Sequence, residues 1–274
     1  MRLLMRLARG GRRAREIAAS RLEGGPPCGT CGFRGRPLER DVLWPELVRA
    51  WELTPQWTRW MNEREGHRCA WCGSTLRSAG LASAIVDAVN AAAGTHATHL
   101  AALFRDARAR ALAIAEINSA GNLHRYLARC PGLRHSEYGS STLPSEDLMA
   151  LTYADASFDL VVTSDTLEHV PDVQAALGEI RRVLKPGGTH VFSVPVVADR
   201  PTRRRAVLGA DGGLQHLLPP SYHGAPKDDK HDFLVFHEFG ADFEDLCVDA
   251  GFDLRALRDA RNPALVTYLA RRRD

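Results

Sequence analysis

Two Cys-x-x-Cys pairs, Cys28-Gly-Thr-Cys31 and Cys69-Ala-Trp-Cys72, each followed directly by a glycine, set the tightest constraint on this chain of 274 residues. Each pair puts two thiols on one turn, and two such turns brought together offer the four tetrahedral sulfurs that structural zinc prefers. Gly32 and Gly73 let the backbone N–H groups curl in toward the sulfurs. Thirty-seven residues separate Cys31 from Cys69, so the segment between must fold as an element of its own. All five tryptophans, Trp44, Trp51, Trp57, Trp60 and Trp71, lie in it or beside the second pair. A small metal-stapled unit needs bulky side chains to build any core, so the expected role of these rings is a mini-core. Four thiolates leave zinc no open coordination position, which makes the expected Cys28, Cys31, Cys69 and Cys72 site scaffolding and not chemistry. A redox pair would need a strand-helix setting that is missing here, and Cys130 and Cys247 have no close partners in sequence.

Composition narrows the class. The chain is 45% hydrophobic and 25% charged, and it contains no run of 18 apolar residues, which excludes a membrane span, a collagen-like chain and global disorder. Residues 1–80 hold 15 Arg and no Lys against 8 acids, while the remainder is mildly acidic. The first 22 residues carry seven Arg, with Leu3, Leu4, Leu7 and Ile17 near helical spacing, and no apolar run long enough for a secretory signal. The expected location is therefore cytoplasmic, where disulfides are disfavoured. Expected units are a basic helix or tail at 1–22, a zinc-binding annex at 23–80 and a main body at 81–274. A helix over about 74–90, with Leu76, Leu81, Ile85, Val86 and Val89 in period, would join annex to body.

The body alternates short apolar runs with amphipathic ones. Strands are expected at 111–117, 133–138, 157–164, 189–196, 252–257 and 264–269, and helices at 123–129, 173–184 and 239–250. Such alternation predicts an α/β fold, a doubly wound and mostly parallel sheet covered on both faces. Ligands then bind beyond the carboxyl ends of the strands, where the chain order reverses. Acids stand at those ends. Glu116 closes the first strand and Glu137 follows 21 residues later, near the spacing at which a carboxylate at the second strand takes ribose hydroxyls. Asp147 lies ten residues further, where a carboxylate can accept from an exocyclic amine.

Three runs then carry a resemblance. Glu146-Asp-Leu-Met-Ala-Leu-Thr-Tyr-Ala-Asp-Ala-Ser-Phe-Asp-Leu-Val-Val162 looks like an acidic loop entering a fourth strand, and Asp165-Thr-Leu-Glu-His-Val-Pro-Asp172 like the segment after it. Glu179-Ile-Arg-Arg-Val-Leu-Lys-Pro-Gly-Gly188 matches the helix and turn before a fifth strand, and Gly251-Phe252 a closing pattern. Over roughly residues 111–200 the chain resembles the class I S-adenosylmethionine-dependent methyltransferases, in the small-molecule subgroup that includes ubiquinone-biosynthesis-type enzymes. The annex, with Cys72-Gly-Ser-x-x-Arg77 running into a helix, resembles the zinc-ribbon-like piece that some of these enzymes carry.

The resemblance implies a Rossmann-like body, S-adenosylmethionine as cofactor and methyl transfer to a small-molecule acceptor, expected to be an oxygen of a secondary metabolite or sugar-like compound. It implies cofactor contacts from Glu116, Ile117, Asn118, Ser119 and Gly121 at the methionine end, Glu137 and Tyr138 at the ribose, Asp147 and Leu148 at the adenine, and Ser164 and Asp165 at the rim. His169 is the expected general base, since imidazole titrates near neutrality; its other reading is a structural histidine. The stretch 197–237 is the expected substrate lid, with Tyr222, His223, His231 and Asp232 as acceptor contacts. The first loop departs from the family pattern, because Asn118, Ala120 and Asn122 stand where glycines are usual. Asn tolerates left-handed backbone better than most residues, and a body that kept the fold and lost the cofactor stays open. Two other functions stay open as well. One is a nucleic-acid methyltransferase gripping phosphates with Arg34, Arg36, Arg40, Arg59, Arg64, Arg68 and Arg77, disfavoured because six annex acids dilute that charge. The other is a non-catalytic zinc-bearing interaction module.

Overall fold

The computed structural model describes residues 2–222 and 233–273, and for residues 2–10 and 12 the backbone alone. In chain order the helices are α1 (Arg2–Glu23), α2 (Pro45–Ala50), α3 (Pro55–Gly66), α4 (Leu76–Ala93), α5 (Leu100–Leu103), α6 (Ala107–Arg110), α7 (His124–Leu127), α8 (Val173–Val183) and α9 (Phe243–Asp249). The strands are β1 (Ile114–Ile117), β2 (Leu133–Ser136), β3 (Phe158–Ser164), β4 (Leu184–Ser193), β5 (Arg203–Arg204), β6 (Ala206–Leu208), β7 (Leu214–His216), β8 (His237–Glu238), β9 (Phe252–Arg258) and β10 (Val266–Arg272). None of the described helices is long and apolar enough to cross a membrane.

Six strands form one sheet in the order β2-β1-β3-β4-β10-β9. β2, β1, β3 and β4 run parallel, and β10 is antiparallel to both neighbours. The order reverses between β1 and β3, which places the ligand crevice beyond their carboxyl ends. Alternating side chains feed two cores, as pleating requires. Val161, Phe192 and Tyr268 face α8 and α9, whereas Leu160, Val162, Val191 and Leu269 face α4. α8 presents Val173, Ala176, Leu177, Ile180 and Val183 as its buried stripe and starts where the Asp172 carboxylate caps the Ala175 N–H.

Several elements differ from expectation for local reasons. The helix expected at 239–250 begins only at Phe243, because Phe239 lies extended in a parallel bridge with Val196. The strand expected at 189–196 starts at Leu184, its Lys185-Pro-Gly-Gly188 turn being absorbed through a register shift opposite Phe158 and Leu160. α4 is more than a connector: Leu81, Ile85 and Val89 are fully buried against the sheet, and the helix runs straight through the boundary expected at residue 80. Trp51, Trp57 and Met61 form no private core either. They bury themselves against Val197, Val235 and Ala264 of the body, since helices of 6 and 12 residues are too short to cover one another.

His190, at the centre of β4, is fully buried; its Nε2 meets the Thr163 hydroxyl at 2.9 Å and its Nδ1 has no partner among the described residues. Burial pulls its pKa down to about 3. The unfolded chain protonates this ring near pH 6.5 while the folded one stays neutral, so the folded state loses stability as pH falls through that window, by at most about 1.4 kcal/mol per unit. His190→Gln is expected to flatten the melting temperature against pH between 6 and 4.

Candidate functional site

Each knuckle is built by backbone geometry before any metal is considered. Cys28 N–H donates to Phe33 O at 2.9 Å and Gly32 N–H to Cys28 O at 2.7 Å; Cys69 N–H donates to Ser74 O at 2.8 Å and Gly73 N–H to Cys69 O at 2.9 Å. Both glycines take left-handed backbone, φ 75° at Gly32 and 78° at Gly73. The sulfurs of Cys28 and Cys72 stand 3.8 Å apart and those of Cys31 and Cys69 3.7 Å. A tetrahedron with Zn–S bonds of about 2.3 Å has edges of about 3.8 Å. The donor set therefore fits zinc. Hydrogen bonds with Cys69 and Cys72, together with burial, push the Cys28 thiol well up and burial pushes Cys31 up to about 12, while the hydrogen bond with Cys28 pulls Cys72 well down. Cys69→Ser is expected to abolish a one-to-one zinc stoichiometry by elemental analysis and to lower the melting temperature; a variant that keeps the metal would refute the site.

A cavity of about 1010 Å³ opens beyond the carboxyl ends of β1, β2 and β3. Asn118, Ser119, Glu137, Tyr138, Asp147, Leu148, Ser164, Asp165 and His169 all line it. Asn118 takes the left-handed conformation, φ 56°, that a glycine would otherwise supply, and its side-chain oxygen accepts from Tyr138 N–H at 2.9 Å, joining the ends of β1 and β2. Glu137 is half-exposed, and His135 Nε2 lies 3.6 Å from its carboxylate. Asp147 turns one oxygen back to Met149 N–H at 2.8 Å. Glu116 does not line the cavity. It is fully buried, accepting from Ala120 N–H at 2.8 Å and meeting His124 Nδ1 at 2.6 Å, so it braces the loop from behind. Ile117 packs in the core and Gly121, φ 60°, sits outside the wall.

The floor of the cavity is made by arginines from the annex. Arg64, on α3 and 1% exposed, grips Asp165 with two hydrogen bonds of 2.8 Å. Arg77, at the start of α4, pairs with Glu65, approaches Asp165 at 3.2 Å and bonds Ser164 Oγ at 2.5 Å. Ser193 donates to Asp165 at 2.7 Å. Asp165 is thereby held well below the usual carboxylate range by the two arginines, against its own burial. It carries the strained φ of 48° at the end of β3. Beside it Glu168 is fully buried, with no hydrogen-bond partner for its oxygens among the described residues and His169 Nε2 3.8 Å from Oε1; burial, then the Asp165 charge, push its carboxyl far up, so it stays protonated. Ser164 and Asp165 thus reach the rim already committed to the annex. The signal was present in the count of annex arginines, but nothing local to Arg64 marks it as buried. Removing it takes the two-bond partner from Asp165 and leaves Arg77 and Ser193 to hold the carboxylate, so Arg64→Met is expected to cost about 3 kcal/mol in urea unfolding, and Arg64→Lys less.

Residues 120–192 match a family described as a methyltransferase domain. A ubiquinone biosynthesis O-methyltransferase of Albidiferax ferrireducens is 27% identical over 174 residues, 63% of this chain and 59% of that protein. A Mycobacterium avium protein described as an uncharacterized methyltransferase is 31% identical over 120 residues, 44% of this chain and 45% of that one. Over this stretch the body is similar to methyltransferase domains. The chain spans less than two thirds of the length of either relative. Among solved structures, the Burkholderia thailandensis 1,6-didemethyltoxoflavin-N1-methyltransferase, with bound 1,6-didemethyltoxoflavin and S-adenosylhomocysteine, is 17% identical with a TM-score of 0.42, over 87% of this chain and 94% of that one.

Opposite the strand ends, the body shares its cavity with the annex. Val42, Leu43, Trp44, Leu47, Leu53 and Met61 form one apolar wall. From the stretch after β4, Leu208, Phe233, Leu234 and Phe236 close the cavity. That stretch is pinned: Arg200, Arg203 and Arg205 converge on buried Glu238, while Arg200 donates to Trp51 O at 2.8 Å and Trp51 Nε1 donates to Ser221 at 2.9 Å. Tyr222 bridges to Leu234 and does not line the cavity; His223, His231 and Asp232 lie outside the described residues. His169, at the end of a short 3-10 turn (Leu167–His169), donates from Nδ1 to Leu234 O at 3.1 Å, which leaves the lone pair on Nε2.

Proposed function

We propose that this chain transfers a methyl group from S-adenosylmethionine to an apolar small-molecule acceptor. The observation that carries the reading is one cavity with two unlike ends. Asn118, Glu137 and Asp147 stand at the strand ends, and the annex wall of Trp44, Leu43, Leu47 and Met61 stands across from them. Its volume of about 1010 Å³ reaches the top of the range of about 300–1,000 Å³ that pockets for single drug-sized ligands occupy, room enough for donor and acceptor together. An acceptor seated on that wall is apolar over most of its surface. That favours a phenolic or polyketide-like oxygen over a sugar-like one.

The bound sulfonium supplies an electrophilic methyl group and leaves as a neutral thioether. The protein's part is then to align two ligands, exclude water and accept a proton. Glu137 would take the ribose hydroxyls on its uncommitted oxygens, and Asp147 with Leu148 would face the adenine. The pinned stretch after β4 and the annex wall keep water out. His169 would accept the acceptor's proton at Nε2. Burial lowers its pKa below the ordinary 6.5, so the imidazole is neutral, and able to act as a base, throughout the physiological range.

The arginines speak against a nucleic-acid substrate. Arg64 and Arg77 are consumed in ion pairs at the cavity floor, and Arg36 is flanked by Glu23 and Glu39, so three of the seven candidate phosphate contacts are already paired with carboxylates.

Calorimetric titration with S-adenosylhomocysteine tests the donor half. Binding by the native protein and a loss of about tenfold or more in Glu137→Ala are expected, as for a charge-assisted hydrogen bond; absence of any binding would refute the reading. With an acceptor in hand, the native rate is expected to rise with pH through a limb below 6.5, and His169→Ala to lose both that limb and about 10²-fold or more of the rate.

A further inference from the structure

We infer that the four-cysteine centre holds the cofactor-facing loop in shape through Ser74 and Asn122, so that metal occupancy of the annex tunes affinity for the nucleoside cofactor. The inference rests on the proposed methyltransferase function. It starts from a short chain of contacts. The Asn122 side-chain amide donates to Ser74 Oγ at 2.8 Å, and Ser74 Oγ lies 3.3 Å from Cys72 Sγ. Ser74 itself is 1% exposed, so water does not compete for these bonds. A second contact runs in parallel, from the Arg125 guanidinium to Cys72 O at 3.3 Å. The loop between β1 and α7 is thus fastened to the second knuckle at Asn122, and the first turn of α7 at Arg125.

This loop needs an external fastening. It contains only one glycine, Gly121, and it places Asn118 and Ser119 on the cavity wall. On the inner side Glu116 holds Ala120 N–H and the Asn118 side chain holds Tyr138 N–H. On the outer side the Asn122 side-chain amide holds Ser74 Oγ. The hydroxyl chemistry makes the link sensitive to metal. A zinc-bound thiolate is an acceptor only, so the single Ser74 proton turns toward Cys72 Sγ and the oxygen lone pairs point to the Asn122 amide. Without the metal the knuckle loses the four-sulfur closure that fixes Ser74. Ser74 and Asn122 are positioning residues, since neither lines the cavity.

The test compares zinc-loaded full-length native protein with Asn122→Ala. Asn122→Ala is expected to retain one zinc per chain and its melting temperature, to bind S-adenosylhomocysteine about three- to tenfold more weakly, and to exchange backbone amides of 118–125 faster. Stripping zinc from the native protein with a chelator should weaken binding and speed exchange over 118–125, while stripping Asn122→Ala should add little to either. Equal affinity and exchange in native and Asn122→Ala, or an equal effect of stripping on both, overturns the link. If stripping unfolds the annex, the zinc-loaded comparison decides alone. If the zinc-loaded native protein binds no S-adenosylhomocysteine, the methyltransferase reading falls, and the exchange rates over 118–125 still decide whether the knuckle holds the loop.

Discussion

The contact between Arg64 and Asp165 joins the two halves of this protein. A guanidinium from a 12-residue helix in the annex is buried against a carboxylate at the end of the central strand, with two hydrogen bonds of 2.8 Å. Neither charge is tolerable there without the other, because desolvation of each would cost several kcal/mol. The pair therefore fixes the annex over the crevice and makes it part of the cavity. The positive φ of Asp165 and the protonated state of Glu168 follow from the same point, where backbone, one ion pair and a buried acid are crowded together. Without the annex the crevice would be open to water on one side.

The knuckles serve that arrangement at a distance. Their backbone turns pre-form the sulfur tetrahedron, and closing it brings α3 beside the start of α4, so Arg64 and Arg77 reach the end of β3 from neighbouring elements. α4 carries the join into the body, with its apolar face in one of the two cores of the sheet. The second knuckle meets the loop after β1 through Ser74 and Asn122.

Much of the fold was legible because it is periodic. Alternating apolar runs marked β1, β3, β4, β9 and β10, the amphipathic stripe marked α8, and the doubled cysteine spacing marked the tetrad. The acids Glu137 and Asp147 were legible as well, since the ends of parallel strands are where a crevice forms. Glu116 shares that position in sequence, yet its side chain turns inward to His124 and Ala120, a choice made by the loop geometry and not by the strand. Phe239 was read as helical because its neighbours are, and a bridge to Val196 holds it extended.

Sequence by itself determined the layers of the body, the four-sulfur centre and the strand ends at which a ligand must bind, because each depends on spacing along the chain. Only the tertiary structure decided what the annex is for. Trp51 and Trp57 read as a private core and became a shared one, and Arg64 read as a surface charge and became the buried floor of the cavity. The reason is that burial of a short helix and neutralisation of a buried charge both depend on partners far along the chain. Arg64 and Asp165 are 101 positions apart, and no local pattern records that they meet.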